Sequence, residues 1–236
     1  VATAIEAPRE AARVMGHDLK DASLVIIGAT GSIGRVCALM LAREARRMTL
    51  VARNERKLEE LAGKILYDTG LAVKVTSDTK KALQTADVVI TVTSSIDTVI
   101  EPEDLKSGAV VCDVARPRDV SKRVAEVRDD VLVIEGGVVE VPGDVEFNLN
   151  FGFPPQTAYA CMAETMVLAL EQRYESYTLG RELTVGQVEE IAQLAKKHGF
   201  KLSGFRSFGK ALTEKEIAGI KSRAADRKNT RPSQIK

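Results

Sequence analysis

The chain has 236 residues, 44% hydrophobic, 28% charged and 4% aromatic, with no tryptophan and a formal net charge of +1. That size and apolar content allow one large domain, or a domain with an attached subdomain. The near-neutral charge and scarce aromatics exclude nucleic acid as an expected partner, and no apolar run approaches the ~20 residues of a membrane span.

The elements follow in chain order. Pro8 is expected to open a helix, with Ile5, Ala12 and Met15 on one side and Gly16 at its end. Its charges Glu6, Arg9 and Glu10 do not match a secretory leader. Residues 24–27 read as a buried parallel strand, and a glycine turn follows at once: Gly28, Ala29, Thr30, Gly31, Ser32, Ile33, Gly34. A helix over 34–46 comes next. A strand, a glycine turn and a helix in succession form a pyrophosphate cradle. Glycine lets the backbone approach the phosphates, and the helix's free N–H groups face the anion. The spacing is G-x-x-G-x-x-G, looser than G-x-G-x-x-G, so its surroundings must support it.

The second strand, 48–52, leads into Arg53, Asn54, Glu55, Arg56 and Lys57. An NAD-type site places an acid here for the ribose hydroxyl; a guanidinium instead binds a 2′-phosphate. Arg53 is therefore expected to hold the 2′-phosphate of NADP(H), with Asn54 beside it and Arg56 or Lys57 in reserve. The plain alternative is a solvated turn and helix start. A helix over 55–68 should place Leu58, Leu61, Ile65 and Leu66 on one side. Strands are expected at 72–76, 88–92, 109–114 and 131–134, with short helices at 79–85 and 120–126. Continuous apolar strands alternating with helices imply an α/β fold, a doubly wound parallel sheet of the Rossmann type. Ligands of such sheets lie beyond the carboxyl ends of the strands. This makes Thr93, Ser94, Ser95, Val114, Ala115, Arg116, Pro117, Gly136 and Gly137 candidates by position, although each also suits an ordinary turn.

Beyond residue 140, Pro142-Gly143 and Gly152-Phe153-Pro154-Pro155 frame a loop containing Phe147, Asn148, Leu149, Asn150 and Phe151. Pro155 is expected to start a long helix over 156–174, packed internally or against a second copy in a homo-oligomer. Thr184 with Gln187 and Thr213 with Glu216 have capping-box spacing, and His198-Gly199 ends the first of those helices. Residues from Arg223 onward read as a frayed polar tail. The expected organisation is a connecting helix over 1–20, a nucleotide-binding domain over 21–180, a helical extension over 181–225 and a disordered tail over 226–236.

Three separated cysteines and two histidines supply neither a disulfide framework nor zinc-ligand spacing, so no metal is expected and a reducing cytoplasm is the natural compartment. Among the candidates for chemistry, none of Tyr67, Tyr159, Tyr174 and Tyr177 has a lysine four positions later, which disfavours the Tyr-x-x-x-Lys dehydrogenases. Cys37 and Cys112 lie in packing contexts and read as core. Cys161 differs, because it falls in the first turns of the helix after the loop, where a helix N-terminus favours a nucleophilic thiolate. Such a group can take an acyl chain from a thioester, while Glu164, one turn on, could move protons but would oppose the thiolate's charge. A core role for Cys161 stays open on spacing alone.

From residue 25 to 200 the chain resembles the long-chain fatty acyl–acyl carrier protein reductases, within the wider shikimate/quinate dehydrogenase-like group. The matching pieces are the glycine loop, Ala52-Arg53-Asn54-Glu55-Arg56, Gly136-Gly137-Val138-Val139-Glu140, Ala160-Cys161-Met162-Ala163-Glu164 and His198-Gly199-Phe200. The resemblance implies reduction of an acyl thioester to an aldehyde with NADPH, an acyl carrier protein as partner, and Cys161 as acyl acceptor. The chain departs from that pattern at Val141-Pro142-Gly143, where the family carries histidine. The resemblance also implies a long N-terminal acyl-binding region, and the chain starts at what reads as the helix joining that region to the nucleotide domain. Two alternatives remain: a shikimate- or quinate-type alcohol dehydrogenase whose substrate domain lies elsewhere, and an NADP-binding module without turnover.

Overall fold

The computed structural model describes residues 1–95, 98–148, 152–178, 180 and 182–230, with the side chains of 228–230 left aside. Six strands form one parallel sheet: β1 (Ser23–Ile27), β2 (Arg47–Val51), β3 (Lys74–Thr76), β4 (Val88–Thr91), β5 (Val110–Asp113) and β6 (Leu132–Glu135), in the order β3-β2-β1-β4-β5-β6. This is the expected doubly wound fold, with the chain reversing direction of travel between β1 and β4. Successive strand residues point to opposite faces, so a strand covered on both sides must be apolar throughout. Leu24 and Ile26 enter one core with Leu50, Ile90 and Ile134, while Val25 and Ile27 enter the other with Val51, Val89 and Val133.

Helices α2 (Ser32–Leu41) and α3 (Glu55–Thr69) contribute Val36, Cys37, Leu58, Leu61 and Ile65 to the first core. Leu66 stays about half exposed instead of joining that stripe. Helices α4 (Thr79–Leu83) and α5 (Lys122–Val127) supply Leu83 and Val124 to the opposite core. The N-terminal helix α1 (Ala2–Met15) begins six residues before Pro8, which lies buried inside it. The expected helix start at Pro8 is thereby corrected. Ala4, Ala7, Ala11 and Ala12 let α1 settle closely on the first face, where Ile5 and Met15 join the core.

The expected long helix over 156–174 is a strand and a shorter helix. β8 (Thr157–Tyr159) pairs antiparallel with β7 (Val138–Glu140), which also pairs with β9 (Lys201–Leu202). Only then does α6 (Ala160–Leu170) begin. Pairing to β7 overrides the helix-opening preference of Pro155, a tertiary effect invisible to local pattern. Helix α7 (Val185–Lys197) has the expected capping box from Thr184 and Gln187. A hairpin of β10 (Arg206–Ser207) and β11 (Lys210–Ala211) precedes α8 (Glu214–Thr230). Thr213 and Glu216 exchange backbone bonds at the start of α8. α8 is helical through the stretch from Arg223 that was expected to fray, because Ala224 is buried and Arg223 and Arg227 bind Asp129. Residues 231–236 of the expected tail, and Leu149, Asn150 and Phe151 of the expected loop, lie outside the described residues.

Candidate functional site

The glycine loop is built by close packing. Gly28 has φ +80°, a left-handed conformation, and its N–H and that of Ala29 both donate to Val51 O, at 2.9 and 3.2 Å. A Cβ on Gly28 would lie 2.8 Å from Val92 O, and one on Gly34 only 2.3 Å from Gly28 O. Helix and loop thus touch at a distance that no side chain permits. Gly31 is the N-cap of α2 and supplies no side-chain cap, so the first N–H groups of α2 have no partner within the helix. Ser32 and Ile33 occupy that first turn, whereas Ala29 is buried beneath the loop.

Beside the loop lies a cleft of about 420 Å³. Of the residues expected at the site, Gly28, Thr30, Gly31, Arg53, Asn54, Thr93 and Ser94 line it together. Arg53 is exposed at the end of β2 and pairs with no carboxylate among the described residues. Asn54 is committed to structure: it is the N-cap of α3, its side chain accepting from Lys57 N at 3.0 Å. Arg56 sits one residue into α3, pairs with Glu60 at 2.9 Å and does not line the cleft. Ser77 and Thr79, after β3, line it although the sequence reading did not single them out. Their position beyond the carboxyl end of a strand was the available signal. A guanidinium with no ion pair among the described residues, open helix N–H groups and glycines at the loop's close contacts fit a phosphate-bearing dinucleotide.

Thr93 is wired into the scaffold. Its hydroxyl donates to Asp119 Oδ1 at 2.5 Å and its N–H to Asp119 Oδ2 at 3.1 Å, while Ser95 N donates to the Thr93 hydroxyl at 3.1 Å. The Thr91 hydroxyl also donates to Asp119. Asp119 is fully buried, and its carbonyl takes the N–H groups of Val99 and Ile100. One residue thus fixes both ends of the segment that follows β4. Asp113, at the end of β5, does the same for its own loop, accepting from Ala115 N at 3.0 Å and Val120 N at 3.1 Å. Burial, with Asp119 nearby, pushes the Asp113 carboxyl up to about 6 against its backbone donors. Neither aspartate stood out in the sequence, because a lone aspartate near a turn resembles any solvated acid.

Farther along the same edge, Val114 N donates to Thr91 O and Gly136 N to Asp113 O. A Cβ on Gly136 would lie 2.7 Å from Val114 Cγ2, so this pair packs tightly. Gly137 has φ +95°, and its carbonyl accepts from Ala160 N at 2.8 Å. That bond joins the end of β6 to the start of α6. Cys161 is the second residue of α6 and is exposed; no side chain caps the helix. Val114, Gly137 and Cys161 therefore follow one another along the carboxyl edge, but outside the cleft that holds the glycine loop. Cys37 and Cys112 are buried, as expected of core residues, and burial pushes the Cys37 thiol up to about 12. Among the described residues no group of three acids, histidines or cysteines could hold a metal ion, and no helix is long and apolar enough to cross a membrane.

Comparison with known proteins adds a lineage. The family described as shikimate / quinate 5-dehydrogenase matches residues 9–135. The chain is 35% identical over 202 residues to the aminotransferase PigE of a Serratia species, covering 84% of this chain and 23% of that protein. It is 30% identical over 198 residues to a long-chain acyl-(acyl-carrier-protein) reductase of Synechococcus elongatus, covering 80% of this chain and 56% of the relative. The chain thus spans less than two thirds of either relative. Among solved structures, glutamyl-tRNA reductase from Methanopyrus kandleri aligns with a TM-score of 0.44 and 18% identity, over 96% of this chain and 44% of that one.

Proposed function

The chain belongs to the shikimate / quinate 5-dehydrogenase family, and on that premise we propose that it is an NADP(H)-dependent oxidoreductase that reduces an acyl thioester to an aldehyde through Cys161. The observation that carries this reading is the exposed Cys161 at the uncapped start of α6, tied through Ala160 N to Gly137 O. It shares the sheet's carboxyl edge with the glycine cleft. The similarity to an acyl-carrier-protein reductase supports the same substrate class.

In this reading the glycine loop and the start of α2 take the pyrophosphate, and Arg53 takes the 2′-phosphate. Bound there, the dinucleotide supplies a hydride. The Cys161 thiolate attacks the thioester carbonyl carbon, forming a new C–S bond while the carrier's C–S bond breaks and the carrier leaves as a thiol. The open N–H groups of α6 face the anionic charge that builds at its first turn. Glu164, one turn on, accepts a hydrogen bond from the Thr178 hydroxyl. In this reading Glu164 takes a proton from solvent and passes it to the carrier sulfur, which leaves as the thiol. Reduction releases the aldehyde and restores the Cys161 thiolate.

Incubation with an acyl-coenzyme A or acyl-carrier thioester, followed by intact-mass analysis, should show one acyl adduct, located on Cys161 and missing in Cys161→Ser. Full activity in Cys161→Ser without any adduct would reject the covalent route. Cofactor titration is a separate arm: Arg53→Ala should weaken NADP(H) at least about tenfold and leave NAD(H) nearly unchanged, the loss of one charge-assisted bidentate contact. Wild-type preference for NAD(H) would overturn the cofactor assignment.

A second reading is favoured by the family match itself, which ends at residue 135 and does not reach Cys161. It is oxidation of a ring hydroxyl by catalytic groups outside this chain. A panel of hydroxy acids and thioesters, followed by NADPH absorbance, separates the two.

A further inference from the structure

The hairpin before α8 buries an arginine. Arg206 is only 7% exposed, its Nε has no hydrogen-bond partner among the described residues, and it pairs with no carboxylate there. Among the described residues its guanidinium donates from Nη2 to Gly209 O, within its own hairpin. A buried cation without a counterion is costly, and a buried unpaired donor calls for a partner. The surroundings say where that partner would come from. Gly209 N donates to Glu135 Oε1 at 2.8 Å, which fastens the hairpin to the carboxyl end of β6. The Arg206 guanidinium lies over the Phe153 ring, 5.6 Å from its centroid, and Phe153 meets Tyr159 edge to face at 4.6 Å. Tyr159 is the N-cap of α6, two residues before Cys161.

Two more arginines converge on Glu135. Arg118 Nη2 reaches it at 2.6 Å and Arg116 Nη2 only at 3.8 Å, with Arg116 40% exposed. Glu135 carries one charge, already shared by Arg118, Gly209 N and the more distant Arg116, and no ion pair joins it to Arg206 among the described residues. The neighbouring acids Asp113 and Asp119 are committed to backbone N–H groups and threonines.

We propose that Arg206, with Arg116 at the rim, forms a site for an oxyanion of the substrate, a phosphate or a carboxylate, beside the Cys161 end of the sheet. Arginine suits this role because its planar fork binds such groups bidentately. The inference rests on the reading of this edge as the substrate side, but not on the reaction or on Cys161.

The test is calorimetric titration of the full chain at low ionic strength with inorganic phosphate, 4′-phosphopantetheine, succinate and neutral pantetheine. Arg53→Ala serves as background, so that phosphate captured by Arg53 does not count, and phosphate held at the glycine loop is told apart because Arg206→Met leaves it unchanged. The expected result is binding of at least one anion, with none for pantetheine. The anion bound distinguishes a phosphate-bearing from a carboxylate-bearing substrate. Arg206→Met should lose that binding at least tenfold, and Arg116→Ala a few-fold. If Arg206→Met does not fold, Arg206→Lys and Arg116→Ala provide the same comparison, together with the rise in Tm that the anion gives the parent. Unchanged affinity in the Arg206 and Arg116 variants, or no binding by any anion in the Arg53→Ala background, overturns the site. Neither result depends on acyl transfer to Cys161, so the two proposals fail separately.

Discussion

At the scale of single residues, position in the fold decides which polar groups are free. Arg53, Asn54 and Arg56 fall within four positions, yet Asn54 caps a helix, Arg56 pairs with Glu60, and Arg53 lines the cleft with no ion pair among the described residues. Thr93 shows the same division: its hydroxyl donates to Asp119 and accepts from Ser95, which leaves Ser94 as the freer side chain of that turn. Asp113 carries a pH prediction. Burial raises its carboxyl from 3.8 to about 6 in the folded chain, so folding favours the protonated form. That contribution is fully present below pH 3.8 and is lost as pH rises through about 6. Between those limits, wild type should lose about 3 kcal/mol relative to Asp113→Asn, which cannot ionise. Urea unfolding of both at pH 4 and pH 7 measures it; a difference that does not change with pH contradicts the assignment.

At the scale of elements, the glycine loop and the capping boxes were plain in the sequence because each is a short-range device. Gly34→Ala should be severe, since its Cβ would sit 2.3 Å from Gly28 O. Loss of at least about 3 kcal/mol is expected from forced backbone displacement, together with loss of dinucleotide binding. Gly63→Ala is the opposing control. A Cβ there meets nothing within 4 Å, within the helix α3, so chemical denaturation should show a gain of about 0.5–1 kcal/mol. Thr184→Ala removes the box that starts α7, and a loss of about 1 kcal/mol is expected in the same assay. By contrast, β8 could not be read locally. Residues 157–159 carry no alternating pattern long enough to register, and they become a strand because β7 offers them backbone partners. The consequence reaches the candidate site, since α6 starts at Ala160 and places Cys161 in its first turn.

At the scale of the whole molecule, the terminal helices belong to the core assembly. α1 covers β4, β5 and β6 on the face shared with α2. α8 is fastened to the far end of the sheet, with Arg223 Nε on Asp129 O at 2.9 Å and Arg227 on Asp129 at 2.6 Å and on buried Asp130 at 3.0 Å. Hydrogen exchange should therefore show α8 protected in wild type and opened in Arg223→Ala/Arg227→Ala, with the sheet amides unchanged; equal protection of α8 in both would show that Ile217 and Ala224 hold it alone. By itself the sequence determined the parallel sheet, the glycine loop after β1 and the position of Arg53 after β2. Apolar runs, glycine spacing and charge at a strand end are local signals, and each constrains its own backbone. Only the tertiary structure decided where α6 begins, which threonines and aspartates are spent on the scaffold, and that Arg206 is buried without a counterion among the described residues. Those facts depend on residues far apart in the chain meeting at one edge of the sheet, and no local pattern records such meetings.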